Sequence, residues 1–474
     1  MTRRRFGPDA VIGLHLALLL GALPTFLAAQ VTFERTFGGA ADDFGHSALV
    51  CPGGYLLCGW TYSFGSGDAN QYLVRTNELG DTIWTRTYGS PSGEENGLKV
   101  KLTFDTGFVV VGYAIRSGRA NMTLTKIDAR GGLLWAREYG GSLDDMAYAV
   151  DQAPDSGFVI VGTTYSFGGG RPNIYVVRTD AQGDTLWTRT YGGAGEDYAF
   201  SVAATRDSGF IVCGWTRSYG AGMADIYLVK TDARGDTEWT RTYGGAEDDY
   251  GHAVRQIADG GYIVAGSTFS FGAGLADFYL VRTDSSGDTL WTRTYGGDSS
   301  DLGHSVELTE DGGFILAGQT SSFGAGNWDA WLVKTDSQGD TLWTQTVGDT
   351  DDDRCYSVQR TADRGYIVAG STGSTGAGGF DAWLIKADSA GRVAIAESDL
   401  PTAHTLGSAT VARGFMHLPR TATRIHYSLF DAAGRQVLRL RPGPNDIQHL
   451  TAGAYFVRLT SDGRSRTSKL IVLP

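Results

Sequence analysis

The amino-acid sequence predicts an all-β protein: a seven-bladed β-propeller of four-stranded blades closed by the N-terminal strand, then a small antiparallel β-sandwich. Three observations carry this. Trp84, Trp135, Trp187, Trp239, Trp291 and Trp343 recur every 51 or 52 residues, and four strands repeated at about 50 residues make a propeller blade. Glycine is 68 of 474 residues, proline is 11 and aromatics are 11%. That balance fits short strands joined by tight turns and excludes both a disordered chain and a collagen triplet. After Asp388 the period stops and a second, shorter alternation takes over.

Residues 1–29 read as a signal peptide. Arg3, Arg4 and Arg5 form a basic start, Val11–Ala29 is almost wholly apolar, and small residues at Ala28 and Ala29 place cleavage near Gln30. An uncleaved anchor is the alternative; the run is short for it and is broken by Pro24. No transmembrane segment is expected after cleavage.

The propeller is assigned to residues 30–393. In the unit Thr289–Asp340, strand A is expected over His304–Leu308, B over Phe314–Thr320, C over Ala330–Thr335 and D over Thr341–Thr346. Phe314-Ile315-Leu316-Ala317 is continuously apolar, as a strand buried on both faces should be. Trp291, Arg293 and Tyr295 alternate with Thr292 and Thr294, the period of an exposed strand. Asp311-Gly312-Gly313 and Asp336–Asp340 supply turn residues, the latter with a glycine suited to a bulged hairpin. The chain holds seven D strands, counting Val31–Thr36 with Phe33 in the tryptophan's place, and seven A-B-C sets. The first D has no set before it and the last set has no D after it. Pairing Val31–Thr36 with Ala382–Lys386 closes the ring and removes two open edges.

Residues 394–410 read as a linker and 411–474 as the second domain, with strands expected at Ile425–Leu429, Gln436–Leu440, Ala454–Leu459 and Lys469–Leu473. Charge divides along the same line. Residues 30–394 hold 27 Lys/Arg against 46 Asp/Glu, a net of −19, and residues 395–474 hold 10 against 5, a net of +5. An acidic propeller argues against nucleic acid as a partner. The four cysteines do not form a disulfide framework: Cys58 and Cys213 occupy a position held by alanine in other repeats.

The D–A and B–C loops share one face. Every D–A loop carries an acid at one position: Asp43, Glu95, Asp145, Asp197, Asp249, Asp301 and Asp353. Each B–C loop adds Asn70, Asn121, Asn173, Asp225, Asp277, Asp329 or Asp381. Two readings stay open. The acids cap their own turns, or they bind an extracellular glycan, a protein or a hard cation such as calcium, which takes several oxygen ligands. The densest metal candidate is Asp349, Asp351, Asp352 and Asp353. His46, His252 and His304 share a position at the start of strand A with Leu98, Tyr148, Phe200 and Tyr356, which favours an inner wall over a metal triad. No nucleophile elbow, zinc cluster or phosphate loop stands in a convincing context.

Three resemblances follow from these motifs. The run Tyr279–Trp291, YLVRTDSSGDTLW, is similar to the tryptophan-docking repeats of quinoprotein-type propellers, though those usually have eight blades. The whole unit resembles the GGYIVAG…DTLW surface repeats of bacterial secreted proteins. The tail resembles the C-terminal sorting domain (type A) of the type IX secretion system. The matching features are Leu429-Phe430-Asp431 leading to Gly434-Arg435, Gly453-Ala454-Tyr455-Phe456, and Lys469-Leu470-Ile471-Val472. That resemblance implies export, contact with the type IX machinery, and a secreted or outer cell-surface address. The expectation is therefore a surface binding or scaffold protein. The alternative is a secreted enzyme on the same scaffold, either a polysaccharide hydrolase or lyase or a quinone-dependent dehydrogenase. The regularity of the blades favours binding.

Overall fold

The computed structural model describes residues 30–393, residue 67 aside, and residues 410–472 outside 413–414, 419–425, 432–434, 442, 448–449, 452 and 462–463. The signal peptide, most of the linker and Gly434 lie outside the described residues. Two compact units divide at Ile395/Ala396.

The first unit is a ring of seven four-stranded antiparallel sheets. Blades 1 to 6 begin at Asp43, Glu94, Asp145, Asp197, Asp249 and Asp301 and end at Tyr88, Tyr139, Tyr191, Tyr243, Tyr295 and Val347. Blade 7 takes A, B and C from Asp353–Ala387 and its outermost strand from Phe33–Phe37. Phe33 pairs with Lys386 and Phe37 with Ala382, so the two ends of the propeller sequence share one sheet. Strand A starts three residues earlier than the alternation suggested, at Asp301 rather than His304 in blade 6.

Burial follows the strand order. Strands B and C are buried almost throughout, and D alternates between exposed and half-buried residues. The apolar core lies between neighbouring blades. Val159, Val161, Ile174 and Val176 of blade 3 pack against Phe210, Val212, Tyr227 and Val229 of blade 4. The closing joint is built alike, with Phe33, Ile367, Ala369 and Leu384 against Ala48, Tyr55 and Leu57.

The period-setting tryptophans act at these joints. The rings of Trp135, Trp187, Trp239, Trp291 and Trp343 lie 5.8–6.2 Å from the first aromatic of the next blade's strand B. Phe33 does the same with Tyr55 at 5.9 Å. Each also covers the C–D turn glycine of the next blade. A Cβ on Gly287, which has φ +80°, would stand 2.8 Å from Trp239. Four residues after each tryptophan but Trp343 a tyrosine donates to that glycine's carbonyl, as Tyr243 does to Gly287 at 2.7 Å. Val347 and Phe37 stand in its place at the two joints flanking blade 7, so those joints lack this bond. A buried strand-C cation pins the A–B turn in every blade: in six it pairs with a turn aspartate, for example Lys334 with Asp311 at 2.9 Å, and in blade 1 Arg75 donates to the Pro52 carbonyl.

The second unit is a five-stranded sheet plus a two-stranded one. His426–Phe430, Gln436–Leu440, Gly453–Ser461 and Arg464–Val472 form its antiparallel body. Thr410–Ala412 joins in parallel at the edge, and Phe415–Leu418 pairs with Gly443–Asp446. These three short strands were not legible in the alternation. Tyr427, Leu429, Leu440, Ile447, Tyr455 and Val457 form the core. Arg435 pairs with Asp431 at 2.7 Å, the Tyr455 hydroxyl donates to the Thr451 carbonyl at 3.0 Å, and Phe456 sits opposite both Phe430 and Lys469 in the sheet.

Candidate functional site

The seven repeat acids are inside the loops. Asp43, Asp145, Asp197, Asp249, Asp301 and Asp353 are 0% exposed and Glu95 is 5%. Each of the six aspartates joins two loops of one blade. Asp249 Oδ2 accepts from the Gly245 N–H at 2.8 Å in the D–A loop and from the Ser270 hydroxyl at 2.7 Å in the B–C loop. Asp43, Asp145, Asp197, Asp301 and Asp353 repeat this with Ser63, Ser166, Ser218, Ser322 and Ser374. Glu95 instead accepts from the Ser90 N–H and pairs with Arg116 at 2.7 Å.

The B–C loop acid or amide of the preceding blade stands beside each one. A Cβ on Gly296 would meet both Asp277 Oδ1 and Asp301 Oδ2. Burial raises the carboxyls of Asp225, Asp277, Asp329 and Asp381 above the ordinary value, and the facing Asp249, Asp301, Asp353 and Asp43 add to the rise. A raised carboxyl favours the folded state only when protonated, so at neutral pH these four groups subtract stability and regain it as pH falls through the raised value. Asn70, Asn121 and Asn173 already fill this position in three blades. Asp277→Asn is therefore expected to raise the melting temperature at pH 7, with the gain shrinking as the solution is acidified into the carboxylate range. Calorimetry across pH checks it; an equal gain at every pH would exclude the charge as its cause.

Asp349 and Asp351 are exposed, while Asp352 pairs with Arg354 at 2.7 Å. Among the described residues no group of three or more His, Cys, Asp or Glu side chains is placed to hold a metal ion.

The loop face carries a second, unforeseen array. Phe64, Phe167, Tyr219, Phe271 and Phe323 occupy one B–C loop position and are 40–50% exposed. Each ring leans on a strand-C aromatic, with centroids 5.2–5.7 Å apart. The recurring Ser-Phe-Gly or Ser-Tyr-Gly triplet was the available signal. Blade 2 lacks it because Ser117-Gly118 is a tight hairpin, and blade 7 has Thr375 there.

The third feature is the channel inside the ring of A strands. Every A strand has a register shift at one place, between Gly251 and Ala253 in blade 5 for instance. The skipped residues are His46, Leu98, Tyr148, Phe200, His252, His304 and Tyr356. A bulge re-aims its extra side chain, and all seven line one cavity of about 550 Å³. Tyr148, Phe200, His252, His304, Tyr356 and His46 follow one another at centroid distances of 4.4–5.4 Å, forming a belt. Burial pushes His46 and His252 down to about 4 and His304 well below its ordinary value, so all three are neutral at pH 7.

Toward the A–B turns the wall becomes charged. Lys101 pairs with Asp151 at 2.6 Å and Arg255 with Glu307 at 3.4 Å. Lys99 also lines the cavity. It stands where other blades have Ser47, Ala149, Ser201, Ala253, Ser305 and Ser357.

No family model matches the chain. The regulatory protein FlaEY of Caulobacter vibrioides is 25% identical over 353 residues, which span 62% of this chain. The match covers 36% of that protein, so the chain spans about a third of the curated relative's length. Among solved structures, the WD40 domain of Neurospora crassa Pan2 aligns with a TM-score of 0.44 at 9% identity, covering 75% of this chain and 96% of that one. The quinohemoprotein alcohol dehydrogenase ADHIIG of Pseudomonas putida aligns at 0.40 and 10%, covering 81% of this chain and 79% of that one. The chain is a β-propeller repeat protein distantly similar to FlaEY.

Proposed function

We propose that this is an extracellular binding protein whose propeller holds a glycan on the face of the D–A and B–C loops. The observation that carries this is the array of five half-exposed aromatic rings at one loop position. Exposed aromatics in a repeated, ordered arrangement mark an interaction surface. The electron-rich ring face suits the C–H face of a sugar. In six of the seven blades an acid precedes the buried one and supplies polar partners: Asp42 and Asp144 are exposed, and Glu196 and Asp248 are half-buried. Repetition around the ring suits a polymer, because several weak contacts along one chain add through effective concentration. Binding of the purified protein to a polysaccharide array, with product analysis, tests the reading. Phe271→Ala with Phe323→Ala is expected to weaken binding at least tenfold, about 1.4 kcal/mol. A double variant that binds as well as the parent overturns the reading, as does cleavage of the bound polymer.

The route outward belongs to the same proposal. The basic-apolar N-terminus and the ordered motifs of the tail support export followed by type IX sorting to the cell surface. Removal of Ser408–Pro474 is expected to leave the propeller in the periplasm of a type IX-competent host. Undiminished surface delivery of the truncated protein would sink the assignment.

A further inference from the structure

We propose that the central channel is a second binding site, distinct from the loop face, which takes a small organic monoanion: a carboxylate on an aromatic or aliphatic body, held by Lys99. The argument starts from charge. Five charged side chains line the cavity on its A–B turn side: Lys99, Lys101, Arg255, Asp151 and Glu307. Two pairs satisfy each other, Lys101 with Asp151 and Arg255 with Glu307. Lys99 is half-buried and makes no ion pair with a described residue, which leaves the channel wall one positive charge in excess. Such a charge, partly walled by protein, attracts an anion more strongly than a fully exposed surface lysine does.

Geometry makes the residue available. The A-strand bulge of blade 2 puts Leu98 and Lys99 together opposite a single step of strand B, so Lys99 pairs with Val111 and Leu98 has no partner. The serines and alanines at the same place in other blades are small enough to leave the cavity open. Only blade 2 fills the position with a cation, so the ring's near-symmetry is broken at one point of the wall.

The shape of the space sets the class of ligand. About 550 Å³ is far more than one inorganic ion needs and falls in the usual range of small-molecule pockets. One end is the belt of Tyr148, Phe200, Tyr356 and the three neutral imidazoles, which offers ring faces and edges to an apolar body. The other end holds the ammonium. A carboxylate on an apolar body satisfies both ends; inorganic phosphate satisfies one.

Titration gives the site a readout that packing alone would not. Burial, with Arg255 and Lys101 adding to it, brings the Lys99 ammonium down to about 8. The other groups acting on it or beside it are Lys101, Arg255, Glu307, His46 and Cys58. His46 is neutral above about 4 and burial holds the Cys58 thiol far above 9, so neither changes charge between pH 7 and 9.

The test is titration calorimetry of the full chain with benzoate, benzamide and inorganic phosphate as probes. Benzoate is expected to bind with one site per chain, and its affinity is expected to fall as pH rises from 7 to 9. Lys99→Ser is expected to lower that affinity at least tenfold and to remove the pH dependence. Serine is the native residue at this place in four other blades, and a melting temperature within a few degrees of the parent's would show the fold intact. Lys101→Met, which removes a cation already paired, is expected to bind benzoate nearly as well as the parent. No heat with benzoate, equal binding of benzamide, or undiminished binding by Lys99→Ser would overturn the proposal. Phosphate binding as tight as benzoate would overturn the assignment of an apolar-bodied carboxylate. None of these results depends on the glycan face.

Discussion

Deletion of Val31–Thr36 is expected to turn a soluble propeller into an aggregating one with a much lower melting temperature. Blade 7 would lose its outermost strand, and the buried strand Asp381–Ala387 would become an edge with unpaired backbone groups. Trp383, now 1% exposed, would lose the Glu34 carboxylate that accepts its indole N–H at 2.9 Å. Phe33, 3% exposed, would leave the core it shares with Tyr55 and Leu384. Emptying that one position by Phe33→Ala should cost about 3–5 kcal/mol, and the deletion removes the strand's hydrogen bonds as well. Calorimetry and size-exclusion chromatography check both variants. An unchanged melting temperature in the deletion variant would mean that the ring does not depend on this strand.

The second large effect is expected from a single methyl group. Gly266 lies in strand B of blade 5, and a Cβ built on it would stand 1.8 Å from the Tyr250 carbonyl oxygen of strand A. The clash is with backbone, so no rotamer relieves it. Gly59, Gly112, Gly162, Gly214, Gly318 and Gly370 meet the equivalent carbonyl at 1.7–2.0 Å. All seven stand just before the bulge, and the bulge needs the two strands in close approach. Gly266→Ala should therefore cost about 3 kcal/mol or more, at the upper end for overpacking. It should also disturb the aim of His252 into the channel. Chemical denaturation measures the first effect, and the His252 ring resonances report the second. A loss below about 0.5 kcal/mol would show that the bulge can relax without this glycine.

Ring closure was legible because a period of 52 residues counts strands directly. Seven D strands and seven A-B-C sets leave one unmatched at each end, and the observed pairing runs from Phe33–Lys386 to Phe37–Ala382. The direction in which side chains point was less legible. Equivalence of Asp43 and Asp249 was visible; their burial against a serine of the next loop was not, since that serine lies about 20 residues on. Alternation also fails at a bulge. It assigns Leu98 and Lys99 to opposite faces, whereas the register shift brings both to the channel. Lysine among serines and alanines at one repeat position was the signal that could have singled it out. The aromatic rim was written in the Ser-Phe-Gly triplets, but nothing in the period says which loop residues stay half-exposed.

The bond from Trp383 to Glu34 spans 349 residues of chain, and this fixes the order in which the molecule can assemble. Every other strand of the propeller finds its partner within one hairpin, so blades form locally and early. The first strand to be made is the last to be seated, and it stays single until the seventh blade exists. Closing so long a loop adds little entropy beyond a shorter one, because the cost grows only with the logarithm of length. The delay is therefore kinetic. While it lasts, a free β-strand and a complementary groove are present in every copy, and two crowded chains can each accept the other's strand. The same strand that seals one ring is thus the element through which two rings would interlock by domain exchange.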